Sequence, residues 1–361
     1  VTCILGIETS CDETAASVVQ DGLAARSNVI ASQHQLHREY GGVVPEIASR
    51  AHLERISDII EQALDDAGVS MSDIDAVAVG NRPGLIGSLL VGVSAAKSIA
   101  WSMGKPLIGV DHVQAHLYAA AIALPGKEVP PPLSYPALGL VVSGGHSSLY
   151  HVSGPCDAVT IGSTIDDAVG EAYDKAAVIL DAGYPGGPKL DKLAQQGDAS
   201  QVDPLPRSML DADSLNFSFS GLKTALLYRV RGKPQGRGSD TTFLKSAADH
   251  SPEELANLAA AFQQAAVDAV IKKIERALDQ LSAKNQPAQC LIVGGGVSAN
   301  SALRRRSLEL GEARDLPVHL PPMPLCVDNA AMIAGLAHHL LINGQCDTLD
   351  LPALATSKRG R

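Results

Sequence analysis

Aromatic residues make up only 3% of this 361-residue sequence, and its formal charge is −10. So few aromatics argue against an extended stacking platform for single-stranded nucleic acid. The lack of net positive charge means that any nucleic-acid partner must be met by a local basic cluster or by another subunit. Long hydrophobic runs are missing as well: no stretch reaches about 18 consecutive apolar residues, and no membrane partner is expected. No basic-then-apolar leader precedes the strand-like run at Cys3, which predicts a cytoplasmic location, or an organellar matrix if a leader has been trimmed ahead of Val1. The six cysteines, at positions 3, 11, 156, 290, 326 and 346, form no C-x-x-C pair. Neither a zinc knuckle nor a disulfide scaffold is indicated, and a reducing compartment fits.

What is present in quantity is Ala, Val, Leu and Ile, the material of an α/β core with many small helix-on-sheet contacts. The length favours two lobes that share a cleft. Apolar runs at Cys3–Ile7, Ala15–Val19, Ala76–Val79 and Leu107–Val110 read as strands, with helices predicted over Val44–Ala67, Leu85–Trp101 and His112–Leu124. After the proline-rich stretch Pro125–Pro136, strands are predicted at Leu138–Val142, Ser147–Val152, Val159–Gly162 and Cys290–Val293. Helices are expected over Pro252–Leu281, Ser298–Leu310 and Cys326–Ile342. Both halves open with strand, polar or glycine turn, strand, a pattern of structural duplication. The expected division is 1–132 for the first lobe, completed by a C-terminal helix at 325–343, and 133–324 for the second. The tail 344–361 has little apolar content and is expected to fray.

His112 and His116 are spaced i, i+4, which puts both imidazoles on one helix face where they can share a metal ion. Val113 stands where an H-E-x-x-H metallopeptidase has its glutamate, so simple peptidase chemistry is disfavoured. Two nitrogens leave a metal under-coordinated, and Asp328 is the best third ligand; its alternative is a helix-terminal carboxylate complementing the dipole. Ser143-Gly144-Gly145-His146 follows a strand and gives backbone N–H groups room to approach an anion, or is simply a glycine hairpin. Gly294-Gly295-Gly296 leads from a buried strand toward a helix N-terminus, suited to a nucleotide's phosphate or sugar edge, and is not the dinucleotide G-x-G-x-x-G. Glu8 to Thr14 gathers hydroxyls and carboxylates in one turn, able to hold phosphate oxygens or a metal-bound water, or else a solvated hairpin tip. Cys11, with no activating partner in view, reads as structural. Basic residues cluster at Arg229, Arg231, Lys233 and Arg237, in and around a glycine-containing loop, and at Arg304-Arg305-Arg306. Successive helix residues face different ways, so the loop is the better candidate for phosphate contacts.

Taken together, Gly6-Ile7-Glu8-Thr9-Ser10-Cys11-Asp12-Glu13-Thr14, Gly41-Gly42-Val43-Val44-Pro45-Glu46, the His112/His116 pair, Ser143-Gly144-Gly145-His146, Asp166-Asp167, Gly170 to Lys175, Tyr184-Pro185-Gly186-Gly187-Pro188, Asn216 to Thr224, Gly295 to Asn300 and Asp328-Asn329 resemble the universal tRNA threonylcarbamoyladenosine transferase family, once described as O-sialoglycoprotein endopeptidases, in its bacterial or organellar branch. The resemblance spans nearly the whole chain. It implies an α/β, two-lobed fold like that of actin, the heat-shock chaperones and sugar kinases, with duplicated ribonuclease-H-like sheets. It also implies one divalent metal per subunit on His112, His116 and Asp328, Fe(II) first and Zn(II) second, with Val141, Val142, Ser143, Gly144, Gly145, Asp174, Gly187, Asp191 and Asn300 lining a threonylcarbamoyl-adenylate site. The implied partners are tRNA, a paralogous dimerisation subunit, a small ATPase subunit and a separate synthase for the adenylate. Glu13 and Asp12 are the candidates for accepting the amine proton. Two positions depart from the family pattern: Arg82 stands at a usual glycine, and Ser147 at a usual threonine. The competing expectations are a kinase or carbamoyltransferase of the same fold, which needs no metal-binding histidine pair, and a non-enzymatic subunit, which would have lost the triad.

Overall fold

Each half of the architecture opens with a strand–turn–strand unit. In the computed structural model, residues 1–208, 211, 213–235 and 242–357 are described. The first half runs β1 (Cys3–Glu8), β2 (Glu13–Gln20), β3 (Ala24–Ala25), β4 (Val29–Ser32), α1 (His34–His37), α2 (Pro45–Ala67), β5 (Ala76–Arg82), α3 (Ile86–Met103), β6 (Leu107–Asp111) and α4 (His112–Tyr118). The second runs β7 (Ala137–Val142), β8 (Ser147–Gly154), β9 (Asp157–Ser163), α5 (Val169–Ile179), α6 (Gly186–Ala194), α7 (Ser220–Arg231), α8 (Pro252–Ala283), β10 (Leu291–Gly294), α9 (Ser301–Arg314) and β11 (Val318–His319), and α10 (Ala330–Ile342) follows.

The two sheets share one topology. Strand order is β3-β2-β1-β5-β6 in the first, with β4 also on β2, and β9-β8-β7-β10-β11 in the second. In each, the opening strands pair antiparallel and the two that follow helices pair parallel, as the helical crossovers between them require. The duplication expected from the strand pattern is therefore a duplication of register and direction. This is the actin, heat-shock chaperone and sugar-kinase type of fold.

β1 is apolar on both faces because both are covered. Leu5 and Ile7 pack with Ile56, Ile60 and Ala63 of α2, while Ile4 packs with Met332, Ile333 and Leu336 of α10. Gly6 lets α10 lie directly on the strand, since a Cβ there would collide with the Ala330 carbonyl. Thus α10, last in sequence, packs against the first sheet. α3 is long and apolar enough by length and composition to cross a membrane; it lies against β5 and α2 and leaves Ile86, Leu90 and Trp101 exposed.

Several boundaries differ from expectation. α4 stops at Tyr118 and continues only as a short 3-10 turn, Ala119–Ala121. α10 begins at Ala330 and α9 at Ser301, because Asn329 and Asn300 act as N-caps, accepting from the Met332 and Leu303 amides. The expected frayed tail is corrected through residue 357. Asp347 accepts from the Gly109 amide and its own amide donates to Leu107 O, while Leu354 N donates to Asn81 O. The two Asp347 bonds cover part of the open edge of β6, which would otherwise expose unpaired backbone groups, and the Leu354 bond ties the segment to the end of β5. One apolar residue anchors the segment: Leu351 is buried in the α2/α3 core, against Gly109. Leu351→Ala is expected to cost about 2–4 kcal/mol, read from urea denaturation; a loss within error would mean the tail is passively held. Residues 358–361 lie outside the described residues.

Candidate metal centre

Asp111 closes β6 and caps α4, its Oδ1 accepting from Val113 N and Gln114 N at 3.0 and 3.2 Å. The cap fixes the first turn that carries His112 and, one turn on, His116. Arg82 binds this capping carboxylate, Nε to Oδ2 3.4 Å, so the departure from glycine supplies a clamp on the same helix start. The opposite side of α4 is pressed against the second sheet: Gly294, at the end of β10, has no room for a Cβ because the His116 carbonyl sits there. Close packing therefore explains the first glycine of the Gly294–Gly296 run, while Gly296 borders open space.

The two imidazoles lie edge to face, centroids 4.7 Å apart. Asp328 Oδ1 is 3.1 Å from His116 Nε2 and 3.4 Å from His112 Nε2. Asn329, and not Asp328, supplies the side-chain cap of α10, and the Asp328 carboxylate is directed at both histidines. Glu8, fully buried, holds His112 from behind, Oε2 to Nδ1 3.1 Å. Gly80 makes space for that carboxylate. This carboxylate–imidazole arrangement fixes the ring and leaves Nε2 for the metal. The residues thus fit a divalent ion: two nitrogens and one carboxylate oxygen on one side, with the remaining positions open, a donor set suited to Fe(II) or Zn(II).

The charges respond to this crowding. Burial alone would depress His112, but Asp328 and Glu8 raise it well above the usual imidazole value. Burial lowers His116, against the pull of Asp328. Burial, with His112 and His116 adding to it, pushes His146 down to about 4, leaving it a neutral imidazole facing the same cleft. Glu13 is raised well above the ordinary carboxyl range by burial, then by Asp328 and Asp12. Cys11 is pushed up by burial and the neighbouring carboxylates, which keeps it a thiol and agrees with a structural role. His52 ties down the Cys11–Thr14 turn, bonding Thr14 Oγ1 at 2.8 Å and Cys11 O at 3.0 Å.

Across the cleft, the second half supplies a polar floor. Val141 and Val142 have fully buried side chains, so they can reach a ligand only through the backbone, whereas the Gly144–Gly145 turn beyond Ser143 is open. Asp174 Oδ1 accepts from Gly186 N and Gly187 N at 3.1 and 3.2 Å, tying the start of α6 to α5. Asp191 binds Ser301 and Gln263, and Gln263 accepts in turn from Asn300 Nδ2 at 2.8 Å. Sequence reasoning missed Glu8, His146 and Gln263 as site residues. The first two sat in motifs already singled out, while Gln263 lies mid-helix with no local signal. Of the basic clusters, Arg304 is turned inward onto the Ser298 and Pro321 carbonyls, and Arg305 and Arg306 are paired with Glu309 and Asp268. Arg229 is paired with Asp203, and Arg237 lies outside the described residues.

With Asp174 bound to two amides, Asp174→Ala is expected to weaken binding of a stable adenylate analogue about tenfold through the loosened start of α6, with little change in melting temperature. Calorimetric titration measures this, and an unchanged affinity would remove Asp174 from the site.

A sequence profile of the family described as tRNA N6-adenosine threonylcarbamoyltransferase (TsaD) matches residues 24–335. Proteins bearing that name are similar over nearly their full lengths. The one from Trichlorobacter lovleyi is 48% identical over 98% of this chain and 96% of its own, and that from Moorella thermoacetica 46% over the same shares. The one from Thermomicrobium roseum is 48% identical over 96% of this chain and 94% of its own. Among solved structures, HypF from T. kodakarensis superposes with a TM-score of 0.56 at 13% identity, covering 98% of this chain and 49% of that one, a likeness of fold alone.

Proposed function

Because the chain belongs to the tRNA N6-adenosine threonylcarbamoyltransferase family, we propose that it moves a threonylcarbamoyl group from threonylcarbamoyl-adenylate to a tRNA adenosine. The acceptor is the exocyclic amine of the adenosine on the 3′ side of the anticodon, in tRNAs reading codons that begin with A, and AMP is released. The observation that carries this is the convergence of His112, His116 and Asp328 at the cleft beside buried Glu13. The amine nitrogen attacks the carbamoyl carbonyl carbon, the bond from that carbon to the phosphate oxygen breaks, and the amine proton passes to a protein carboxylate.

The three ligands would hold one divalent metal, Fe(II) or Zn(II), which when bound supplies Lewis-acid polarisation of the carbamoyl carbonyl or a hold on the threonyl carboxylate. The chain's own groups do the rest. The Ser143–Gly145 turn and the start of α6 at Gly187 offer backbone amides to the adenylate, and the Asp191–Gln263–Asn300 network faces its nucleoside part. Glu13, with Asp12 beside it, is the proton acceptor. The exposed apolar residues of α2 and α3, Leu53, Ile86, Leu90 and Trp101, support docking of a paralogous subunit on that face, with a small ATPase subunit completing the assembly in the cytoplasm. tRNA phosphates fall to the loop around Lys233 and to those partners.

Nucleoside analysis of tRNA from cells depleted of the protein tests the proposal. Loss of threonylcarbamoyladenosine is expected; its persistence without a redundant enzyme would sink it.

A further inference from the structure

His34 of α1 and Tyr184 of the turn before α6 come from opposite halves of the cleft and meet edge to face, their ring centroids 6.1 Å apart at 88°. Among the described residues no other ring pair joins the two halves. His34 is bound inward, Nε2 lying 3.3 Å from Glu13 Oε1 and 3.7 Å from Asp12 Oδ2. Tyr184 feels the same carboxylates: burial first, then Asp12, Asp174 and Glu13, push its phenol up to about 12, so it stays a neutral hydroxyl. A line of contacts therefore runs from Tyr184 through His34 to Glu13, and Glu13 in turn feels Asp328 at the metal centre.

In a sequence so poor in aromatics, this placement is unusual. The exposed large aromatics Tyr40, Trp101 and Tyr228 are none of them in ring contact across the cleft. An acceptor adenosine in an RNA loop has to leave its stack before its amine can reach a buried carboxylate, and proteins hold such extruded bases on tyrosine or histidine faces. We propose that the acceptor adenine of tRNA stacks on the Tyr184 ring, which the edge-to-face contact with His34 holds beside Glu13, turning its exocyclic amine toward Glu13. This rests on the acyl-transfer reading above and names its acceptor subsite.

The turn that carries Tyr184 is anchored where the adenylate is expected. Asp174 accepts from Gly186 N and Gly187 N, the two residues after Pro185. Gly183, at φ +90°, lets the chain reverse before the tyrosine. Donor and acceptor seats thus share one backbone segment.

The experiment uses the full chain, metal-loaded, with an anticodon stem-loop RNA carrying 2-aminopurine at the acceptor position, and parallel steady-state transfer to unmodified tRNA. Extrusion from the RNA stack brightens the base and restacking on a ring quenches it again, so the bound RNA is expected to stay dim with the wild type and with Tyr184→Phe and to brighten with Tyr184→Ala. Tyr184→Ala is expected to raise the KM for tRNA by about tenfold, the scale of one lost base stack, and to leave the KM for adenylate within twofold. Rescue by Tyr184→Phe distinguishes stacking from any need for the hydroxyl. Quenching that persists in Tyr184→Ala overturns the proposal, and so does a joint shift of both KM values, which would make the ring pair a latch between the lobes. Failure of the wild type to transfer at all would instead count against the acyl-transfer reading, since the fluorescence arm does not depend on turnover.

Discussion

His116→Ala is expected to strip the metal and lower transfer by more than about a hundredfold, with helical content unchanged. His116 is 1% exposed, and its Nε2 lies 3.1 Å from Asp328 Oδ1. Removing even an outer-shell partner of a metal site costs about 10–100-fold in affinity or activity, and an inner donor should exceed that. Alanine is the best helix former and burial already holds this imidazole neutral, so the helix itself loses little. What the fold loses is a buried ring and the stabilisation that metal binding adds by mass action. The melting temperature should therefore fall toward that of metal-free wild type and not far below it. Elemental analysis after dialysis, circular dichroism and single-turnover transfer read the three effects separately. Stoichiometric metal in the His112→Ala, His116→Ala double variant would refute the site outright.

How much of this centre could be seen in the sequence depends on how local each part is. The histidine pair is legible because an i, i+4 spacing has a direct geometric meaning on a helix. Asp328 is nominated only by the need for a third ligand and by resemblance, since nothing local ties it to the pair. Its carboxylate meets His116 across 212 residues, while its neighbour Asn329 caps α10. Glu8 pairs with His112 across 104 residues, and Gln263 joins Asn300 from the middle of the 32-residue α8. No periodicity encodes either contact, because both arise from sheet order and helix packing. The tail misled for a related reason. Low apolar content suggests fraying, yet an uncovered sheet edge needs backbone partners more than apolar ones, and Leu351 with a few main-chain bonds is enough. The strand–turn–strand openings, by contrast, gave the duplicated topology away, since alternation and buried runs are local properties.

Glu13→Gln separates proton transfer from binding. Glu13 is 6% exposed, with His34 Nε2 at 3.3 Å and Ser32 Oγ at 3.5 Å. Burial, Asp328 and Asp12 hold its carboxyl well above the ordinary range, which brings a carboxylate closer to the working pH where a general base is effective. Glutamine keeps the size and removes the charge, so adenylate affinity and fold should survive while the transfer rate falls by about 10²–10⁴-fold. The pH dependence gives a second, opposite pair of signs. Folding favours the protonated form of a group whose pKa is raised, so Glu13's contribution to stability is complete below its unfolded value of about 4.3 and is lost as pH rises through the folded value. In metal-free protein, Glu13→Gln should thus melt higher than wild type at neutral pH, with the gain vanishing toward pH 4. Activity runs the other way: only the ionised carboxylate accepts a proton, so the metal-loaded wild type should speed up as pH rises through the Glu13 value, and the variant should lose that limb. If Glu13→Gln transfers at the wild-type rate with the same acid limb, the proton leaves by another route and Glu13 merely shapes the cleft.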